Sequence, residues 1–325
     1  MKITQPMLAA KDPVEASLKF PLAVSDKRDG IRCVIGDLEK YGPCGLSRNF
    51  TPIQNKFTAQ LVGEIFPPDF DGELQVVAEP GKEAAFRQTS SGIQSRDGEP
   101  NFLYSVFDWG YDLTMPYEKR VALIKSWFKN KACEKALKHG TYLDITIVHN
   151  LKELLAAEEK ALAAGFEGLI MRALDGPYKC GRATLREGWM TKWVRKIRFE
   201  CSIIGFVESM KNNNEKLKNE FGRAKRSSHK ENKEGKNTLG SLKLRALGDK
   251  DYKIAAGLEF EVGTGFDADL RQEIWNNRDK YLGRICTIES RPYGGYDLPR
   301  FPAFIGWRDE SDMDTKPRNG GGAGK

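Results

Sequence analysis

Residues 20–37 (FPLAVSDKRDGIRCVIGD) decide how this chain can be interpreted, because a KxDGxR pattern at 27–32 separates two short apolar runs. Both runs are typical of β-strands, so the pattern is expected on the turn between them. At ordinary residue frequencies, four fixed positions would recur by chance in roughly one chain in a few hundred. The pattern is therefore suggestive, and the rest of the sequence has to support it.

Lys27 is the residue of this pattern that can carry chemistry. A deprotonated lysine amine can attack the α-phosphate of a nucleotide and form a phosphoramidate. Because cationic neighbours or a metal ion favour the neutral amine, Arg32 is a candidate to assist Lys27. Gly30 would allow the backbone to turn close to a ligand. The alternative is an exposed turn of mixed charge.

The composition is that of a soluble globular protein, with 325 residues, 40% of them apolar and 30% charged. This length predicts two domains. No apolar run approaches the roughly 20 residues needed to cross a bilayer, and the first residues lack the features of a signal peptide. We therefore expect no membrane association and a cytoplasmic location, in the host cytoplasm if the protein is viral. The six cysteines form no CxxC pair, which predicts neither disulfides nor a zinc site.

From Phe20 to about Arg198, apolar runs alternate with helical stretches at 120–128 and 151–165, which predicts a mixed α and β domain. The strand candidates there are 21–25, 31–35, 74–78, 102–108, 142–148 and 168–172. A second pattern begins near Glu200, where one short helical stretch at 268–277 accompanies further strand candidates. Their spacing predicts a small barrel. These candidates are 200–208, 240–247, 253–263 and 283–293.

Positive charge is concentrated in one segment. Residues 211–236 contain nine Lys or Arg and four Glu, a surplus of five in a chain whose net charge is +7. The segment is too polar to form a core, so we interpret it as a flexible or partly helical insertion. Within it, Lys225 and Arg226 are candidate contacts to a polyanion. The tail, 315–325, is expected to be disordered.

Further polar motifs follow the lysine in order. Arg48 stands in the turn 45–49 (GLSRN), which would be an ordinary polar turn if it stood alone. Glu73 and Glu167 each lie beside an apolar strand candidate, where a carboxylate can accept hydrogen bonds or bind a hard cation. Phe107 lies in a strand candidate, where aromatic residues are more often simply core.

These motifs resemble, in sequence order, those of the covalent nucleotidyltransferases, the superfamily of DNA ligases, RNA ligases and mRNA capping enzymes. Residues 88–102, 178–182 and 260–266 further resemble the ATP-dependent DNA ligases of the small bacteriophage type. The likeness covers nearly the whole chain. It implies an α+β fold: a nucleotidyltransferase domain of ATP-grasp-like antiparallel sheets with helices over 1–198, then an OB-fold β-barrel over 199–314.

The resemblance also implies a reaction. Lys27 would attack ATP, pass AMP to a DNA 5′-phosphate and so allow the 3′-hydroxyl to seal the nick. Glu73 would bind the ribose or, with Glu167, a Mg²⁺ or Mn²⁺ ion, and Phe107 would stack on the adenine. Arg32 would help to bind the nucleotide, and Arg48 would contact its phosphate or ribose or the DNA. The partner is then nicked double-stranded DNA, bound by a monomer.

Two family motifs near the domain boundary and the C-terminus add candidates. The family usually has two lysines two residues apart, whereas this chain has Lys192 and Val194. If the strand continues, Lys196 shares their face and could supply the missing charge, so Lys192 ranks first and Lys196 second. The segment 299–309 (PRFPAFIGWRD) resembles the last motif, whose arginine, here Arg308, would orient the pyrophosphate.

The sequence also fits three alternatives to a DNA ligase. An mRNA capping guanylyltransferase shares the fold and most motifs, and an RNA ligase shares many of them. The phage-like segments at 88–100 and 260–266 favour a DNA ligase. The third alternative is a DNA-binding protein with a degenerate transferase domain, which only Val194 supports.

Overall fold

The computed structural model describes residues 1–11, 13–79, 82–83, 86–214, 216–218, 224–226, 232–252, 254–291 and 298–308. At 78–79, 82–83, 86, 216–218 and 224–226 it describes the backbone alone. The predicted tail, 315–325, lies outside these ranges. The chain divides into two compact units, Met1–Arg195 and Lys196–Lys325, three residues before the boundary that the sequence suggested.

The first unit contains two sheets with helices packed against them. One sheet has the order β3-β2-β4-β6-β7, with β5 paired to β4, and the other has the order β10-β9-β1-β8. Its elements are β1 (Leu22–Asp26), β2 (Ile31–Leu38), β3 (Gly42–Leu46), α1 (Lys56–Ile65), β4 (Phe70–Glu79), β5 (Lys82–Glu83), α2 (Phe86–Gln94), β6 (Phe102–Trp109), α3 (Tyr117–Asn130), α4 (Glu134–His139), β7 (Gly140–Tyr142), β8 (Thr146–Val148), α5 (Leu151–Ala163), β9 (Leu169–Ala173) and β10 (Met190–Trp193).

Two helices of this unit, α5 and α1, begin at an asparagine cap, which is a sequence signal for a helix start. The Asn150 side chain accepts a hydrogen bond from the Glu153 N–H at 3.0 Å and so caps α5. Asn55 caps α1 in the same way, through the Thr58 N–H at 2.8 Å. No described helix is both long and apolar enough to cross a membrane.

The prediction of a single strand over 142–148 is wrong. The chain pairs with β6 as far as Tyr142, and it joins the other sheet only at Thr146. Between them, the Leu143 N–H donates to the Val106 carbonyl at 2.7 Å. Apolar alternation gives the length of an extended run, but it does not say which sheet each half joins.

The second unit is built on a five-stranded antiparallel sheet of order β15-β14-β11-β16-β17. Just beyond β15, the Thr264 carbonyl accepts a hydrogen bond from the Phe304 N–H of β17 at 3.0 Å, so the two edge strands approach each other. The described strand pairing does not close into a barrel. The elements are β11 (Ile197–Asn212), β12 (Lys216–Lys218), β13 (Ala224–Arg226), β14 (Lys233–Ala246), β15 (Glu259–Val262), α6 (Ala268–Asn276), α7 (Arg278–Tyr281), β16 (Ile285–Arg291) and β17 (Arg300–Trp307).

The described residues of the basic insertion lie mostly in β-strands and include no helix, so its interpretation as partly helical is wrong for those residues. The long strands β11 and β14 continue into it, with Lys211 opposite Glu234 and Asn212 opposite Lys233. Between them, β12 and β13 form a separate antiparallel pair. Cross-strand hydrogen bonds satisfy the polar backbone of this segment without a core.

Candidate functional site

A cavity of about 320 Å³ lies within the first unit, and its walls carry a strong excess of positive charge. Eight cationic residues line it against two acidic ones, Asp26 and Glu73. Apolar side chains form another part of the wall, among them Phe107, Leu143 and Met190. Such a wall suits a ligand with an anionic part and a flat apolar part. The cations are Lys11, Lys27, Arg28, Arg32, Arg48, Arg172, Arg182 and Lys192.

The sheet of β1, β9 and β10 supplies one face of the cavity. Ile170 on β9 lies opposite Ser25 on β1 and opposite Lys192 on β10. Two residues further on, Arg172 lies opposite Met190. Because side chains alternate along a strand, these residues project from one side of the sheet. All five line the cavity, so the pairing itself brings Lys192 and Arg172 to the site.

Lys27 follows directly after β1 and is fixed at two points. Its N–H donates to the Gly168 carbonyl at 2.9 Å, and its side-chain ammonium donates to a carboxylate oxygen of Glu167. Gly168 has φ +142°, and a Cβ there would lie 2.3 Å from the Trp193 carbonyl oxygen. Only glycine allows this approach, which places Glu167 beside Lys27.

Glu73 projects from β4 opposite Arg32 on β2. Burial raises the pKa of Glu73 to about 7, although the positive charges of Arg32 and Lys27 oppose that shift. The Gly30 N–H donates to this carboxylate. A Cβ at position 30 would lie 2.4 Å from the Leu74 carbonyl oxygen, so the glycine of the KxDGxR pattern allows a close approach of two strands.

Arg32 is bound by a buried carboxylate, that of Asp71. Its guanidinium donates to both oxygens of Asp71 and to the Met7 carbonyl at 3.1 Å. Burial would lower the pKa of Arg32, but Asp71 shifts it above its ordinary value. Asp71 also accepts a hydrogen bond from the Tyr178 hydroxyl at 2.6 Å. The guanidinium of Arg32 therefore has a structural partner, and its expected contact with the nucleotide stays a prediction.

Phe107 lines the cavity and is half-buried. The guanidinium carbon of Arg32 lies 4.6 Å from the centre of its ring, and that of Arg172 lies 5.8 Å away. These cations orient the ring by cation–π contact. The ring is accessible from the cavity, and stacking on adenine stays a prediction.

A buried ion cluster that the sequence analysis missed supports this wall. The Asp108 carboxylate accepts hydrogen bonds from Arg172 and from Arg120, each at 2.7 Å. Burial would raise the pKa of Asp108, but the two guanidinium groups hold it below its ordinary value. Asp108 and Arg172 are the last residues of the strand candidates 102–108 and 168–172, and a charged residue at the end of each apolar run was the sequence signal for the cluster.

The other sequence candidates are distributed over both units. Arg48 is exposed and lines the cavity. Lys11, Arg28 and Arg182 were not predicted, although Arg182 ends the phage-like segment 178–182. The side chains of Lys225 and Arg226 lie outside the described residues.

The interpretation of the residues after Lys192 as one extended strand is wrong, because β10 ends at Trp193 and β11 begins at Ile197. Lys196 belongs to the second unit, where it pairs with Glu289 at 3.1 Å. In that unit Arg308 also donates to Glu200 at 2.6 Å. The parts of Lys196 and Arg308 in nucleotide binding stay predictions.

The carboxylates of the site fit a divalent cation of the magnesium type. No group of three or more His, Cys, Asp or Glu side chains that could hold a metal occurs among the described residues. Mg²⁺, however, is usually bound by one or two carboxylates together with substrate phosphates. Glu73 and Glu167, which both interact with Lys27, provide such a pair.

Comparison with known proteins relates this site to DNA ligases. A family model described as an ATP dependent DNA ligase domain matches residues 5–192. A DNA ligase of African swine fever virus is 24% identical over 151 residues, covering 43% of this chain and 32% of the viral protein. The match therefore spans about a third of that relative.

Two solved structures are similar over nearly the whole chain. The structure of Chlorella virus DNA ligase-adenylate is 31% identical, with a TM-score of 0.51, and the match covers 95% of this chain and 100% of that one. A structure of the Lig E DNA ligases is 19% identical, with a TM-score of 0.64, over 94% of this chain and 100% of that one. At this lower identity the similarity shows the fold alone.

Proposed function

Because the chain belongs to the family of ATP-dependent DNA ligases, we propose that it seals nicks in duplex DNA with ATP as the source of AMP. The observation that carries this proposal is the contact of Lys27 with Glu167 at a cavity where cations outnumber acidic residues by eight to two. A cavity of this charge attracts a polyphosphate. Lys27 is the amine placed to attack it.

In the first step, the ammonium group of Lys27 loses a proton to solvent, and the neutral amine attacks the α-phosphate of ATP. A nitrogen–phosphorus bond forms, the bond to the pyrophosphate oxygen breaks, and pyrophosphate leaves. Glu167 accepts a hydrogen bond from this amine and is therefore positioned to orient it. Such transfers depend mainly on positioning and charge neutralisation. Lys192 and Arg48, both at the cavity wall, would neutralise the phosphates.

The remaining steps transfer AMP from Lys27 to the 5′-phosphate at the nick, where the 3′-hydroxyl then displaces AMP. Phe107, with Leu143 and Met190, would form the apolar face that receives the adenine. Glu73 and Glu167 would hold Mg²⁺, which supplies positive charge beside the phosphates when it is bound.

For the second unit we propose the OB fold. Two features of the sheet support it: its five-stranded order, and the hydrogen bond from Phe304 to Thr264 that links the two edge strands. Helices α6 and α7 follow β15 and precede β16, so three strands of the main sheet come before the helical segment and two come after it. Partly open barrels of five strands commonly bind nucleic acids.

We further propose that this unit contacts the phosphates of duplex DNA and that a monomer performs the reaction. Contacts to phosphates contribute affinity for DNA without recognising the base sequence. The basic insertion, with Lys225 and Arg226, would add to that affinity, so binding to DNA should weaken steeply as the salt concentration rises. Arg308 would orient the pyrophosphate, which requires it to exchange Glu200 for the nucleotide.

Covalent labelling tests the proposed function. The protein is incubated with Mg²⁺ and either ATP or GTP labelled in the α-phosphate, and acid-labile label on the protein is measured. Label from ATP that nicked DNA then discharges supports a DNA ligase. Label from GTP alone would indicate a guanylyltransferase, and no label from either nucleotide would reject both enzymes.

A further inference from the structure

The second phosphate-binding lysine expected beside Lys192 is missing, because position 194 is valine. Val194 lies beyond the end of β10 and is not among the residues that line the cavity. We propose that Lys11, from a different segment of the chain, supplies this second ammonium group to the phosphates of ATP. The inference rests on the proposed adenylation reaction and adds a substrate-binding residue to it.

The segment that contains Lys11 lies beside β10 in parallel orientation. Ala10 forms a parallel bridge with Thr191, in which the Ala10 N–H donates to Met190 at 2.9 Å and the Lys192 N–H donates to Ala10 at 3.2 Å. One residue further along both segments, Lys11 lies next to Lys192. Paired residues of parallel strands project to the same side, and both lysines line the cavity.

This arrangement gives a spacing close to that of the usual motif. Adjacent strands lie about 4.8 Å apart, whereas residues two apart on one strand are separated by about 6.6 Å. Two long lysine side chains can bridge the small difference between these separations. A cross-strand pair, Lys11 with Lys192, can therefore place two ammonium groups about as far apart as the family's two lysines, which are two residues apart.

Two other cations that line the cavity, Arg172 and Arg182, already serve structural contacts. Arg172 donates to the buried carboxylate of Asp108 at 2.7 Å. Arg182 donates to the Ala9 carbonyl at 2.7 Å. The backbone of Arg182 also forms a parallel bridge with Leu8, earlier in the same segment as Lys11. Lys11 is exposed, so its ammonium group can reach a ligand without breaking a buried contact.

Substitution at Lys11 and Val194 tests this inference through the rate of lysyl-AMP formation at limiting ATP. Lys11→Ala should slow labelling by about tenfold or more, because a charge-assisted contact to phosphate is lost. Lys11→Arg should retain most of the rate. Lys11→Ala combined with Val194→Lys should recover part of it, since a lysine then again stands two residues after Lys192, as in the usual motif. Lys152→Ala, an exposed lysine on α5, is the matched control and should label normally.

The outcomes separate this inference from the proposed function. Wild-type protein that takes no label from ATP would contradict the function itself. Wild-type protein that labels normally, together with Lys11→Ala that labels equally fast, would overturn the role of Lys11 alone. That role would also be overturned if neither arginine at position 11 nor lysine at position 194 improves on Lys11→Ala, because the defect would then be structural.

Discussion

The side chain of Lys27 donates a hydrogen bond to the carboxylate of Glu167, 140 positions later in the chain. The contact follows from the pairing of β1 with β9, in which Asp26 lies opposite Leu169. Lys27 directly follows the last residue of β1 and Glu167 lies two residues before the first residue of β9, so both stand at the same end of the pair. The sheet therefore sets the distance between the amine and the carboxylate, and a flexible loop does not.

Glu167→Gln should slow the formation of lysyl-AMP by about 10²-fold, because the amide keeps the shape but loses the charge that orients the amine. Single-turnover labelling with ATP measures this rate. Glu159→Gln, at an exposed position on α5, is the control and should label at the wild-type rate. Equal rates for Glu167→Gln and the control would show that the contact with Lys27 has no part in the chemistry.

Gly168→Ala should lower both stability and labelling, because its Cβ would lie 2.3 Å from the Trp193 carbonyl oxygen. Overpacking of this kind typically costs about 1–3 kcal/mol. Gly165→Ala is the control. Gly165 also has a positive φ, +87°, but nothing lies within 4 Å of its added Cβ, so this variant shows the cost of backbone strain without a steric clash. Urea unfolding and ATP labelling of both variants are compared. Normal labelling by Gly168→Ala would contradict the requirement for a close approach.

Glu73 should make the first unit less stable as the pH rises from 4.5 to about 7. Its pKa is about 7 in the folded protein and 4.5 in the unfolded chain, so unfolding in this window releases a proton. Wild-type stability relative to Glu73→Gln should therefore fall by up to about 1.4 kcal/mol per pH unit. Urea titrations of both proteins at pH 5 and pH 7.5 measure the change. A difference independent of pH would contradict the raised pKa.

Asp108→Asn should destabilise the protein by about 3–5 kcal/mol, because Arg120 and Arg172 would remain buried without their carboxylate. Asp144→Asn breaks an exposed pair with Lys125 and should change the free energy of unfolding by less than about 1 kcal/mol. Urea unfolding compares the two variants. If both lose the same stability, the buried cluster does not hold the wall of the cavity.

Several site residues could be placed from the sequence because short local patterns contain them. Lys27 and Glu73 each stand in or beside a strand whose apolar pattern is clear, Lys192 was named from its resemblance to a family motif, and all three line the cavity. Lys11 and Arg182 could not be placed, since their positions depend on parallel bridges between distant segments. Pairing of this kind leaves no local periodicity to detect.

Local sequence patterns also predicted only part of the fold. Helices α3 and α5 were predicted from their apolar periodicity. Helix α1 was missed, although Asn55 is a capping residue and the buried positions Leu61 and Val62 lie on one face. The split between β7 and β8 was also missed, because only tertiary pairing decides where an extended run changes sheets. The sequence showed that Val194 stands where the family has a second lysine. Only the structure shows that the segment around Lys11 lies beside Lys192.

Lys27→Ala gives the most direct test of the central claim, that Lys27 carries AMP. The variant is assayed for ATP labelling, for sealing of a nick with ATP, and for sealing of a nick that already bears AMP on its 5′-phosphate. We predict no label and no ATP-dependent sealing, but sealing of the pre-adenylated nick close to that of wild type. Covalent label on Lys27→Ala, or loss of sealing on the pre-adenylated nick as well, would contradict the assigned role.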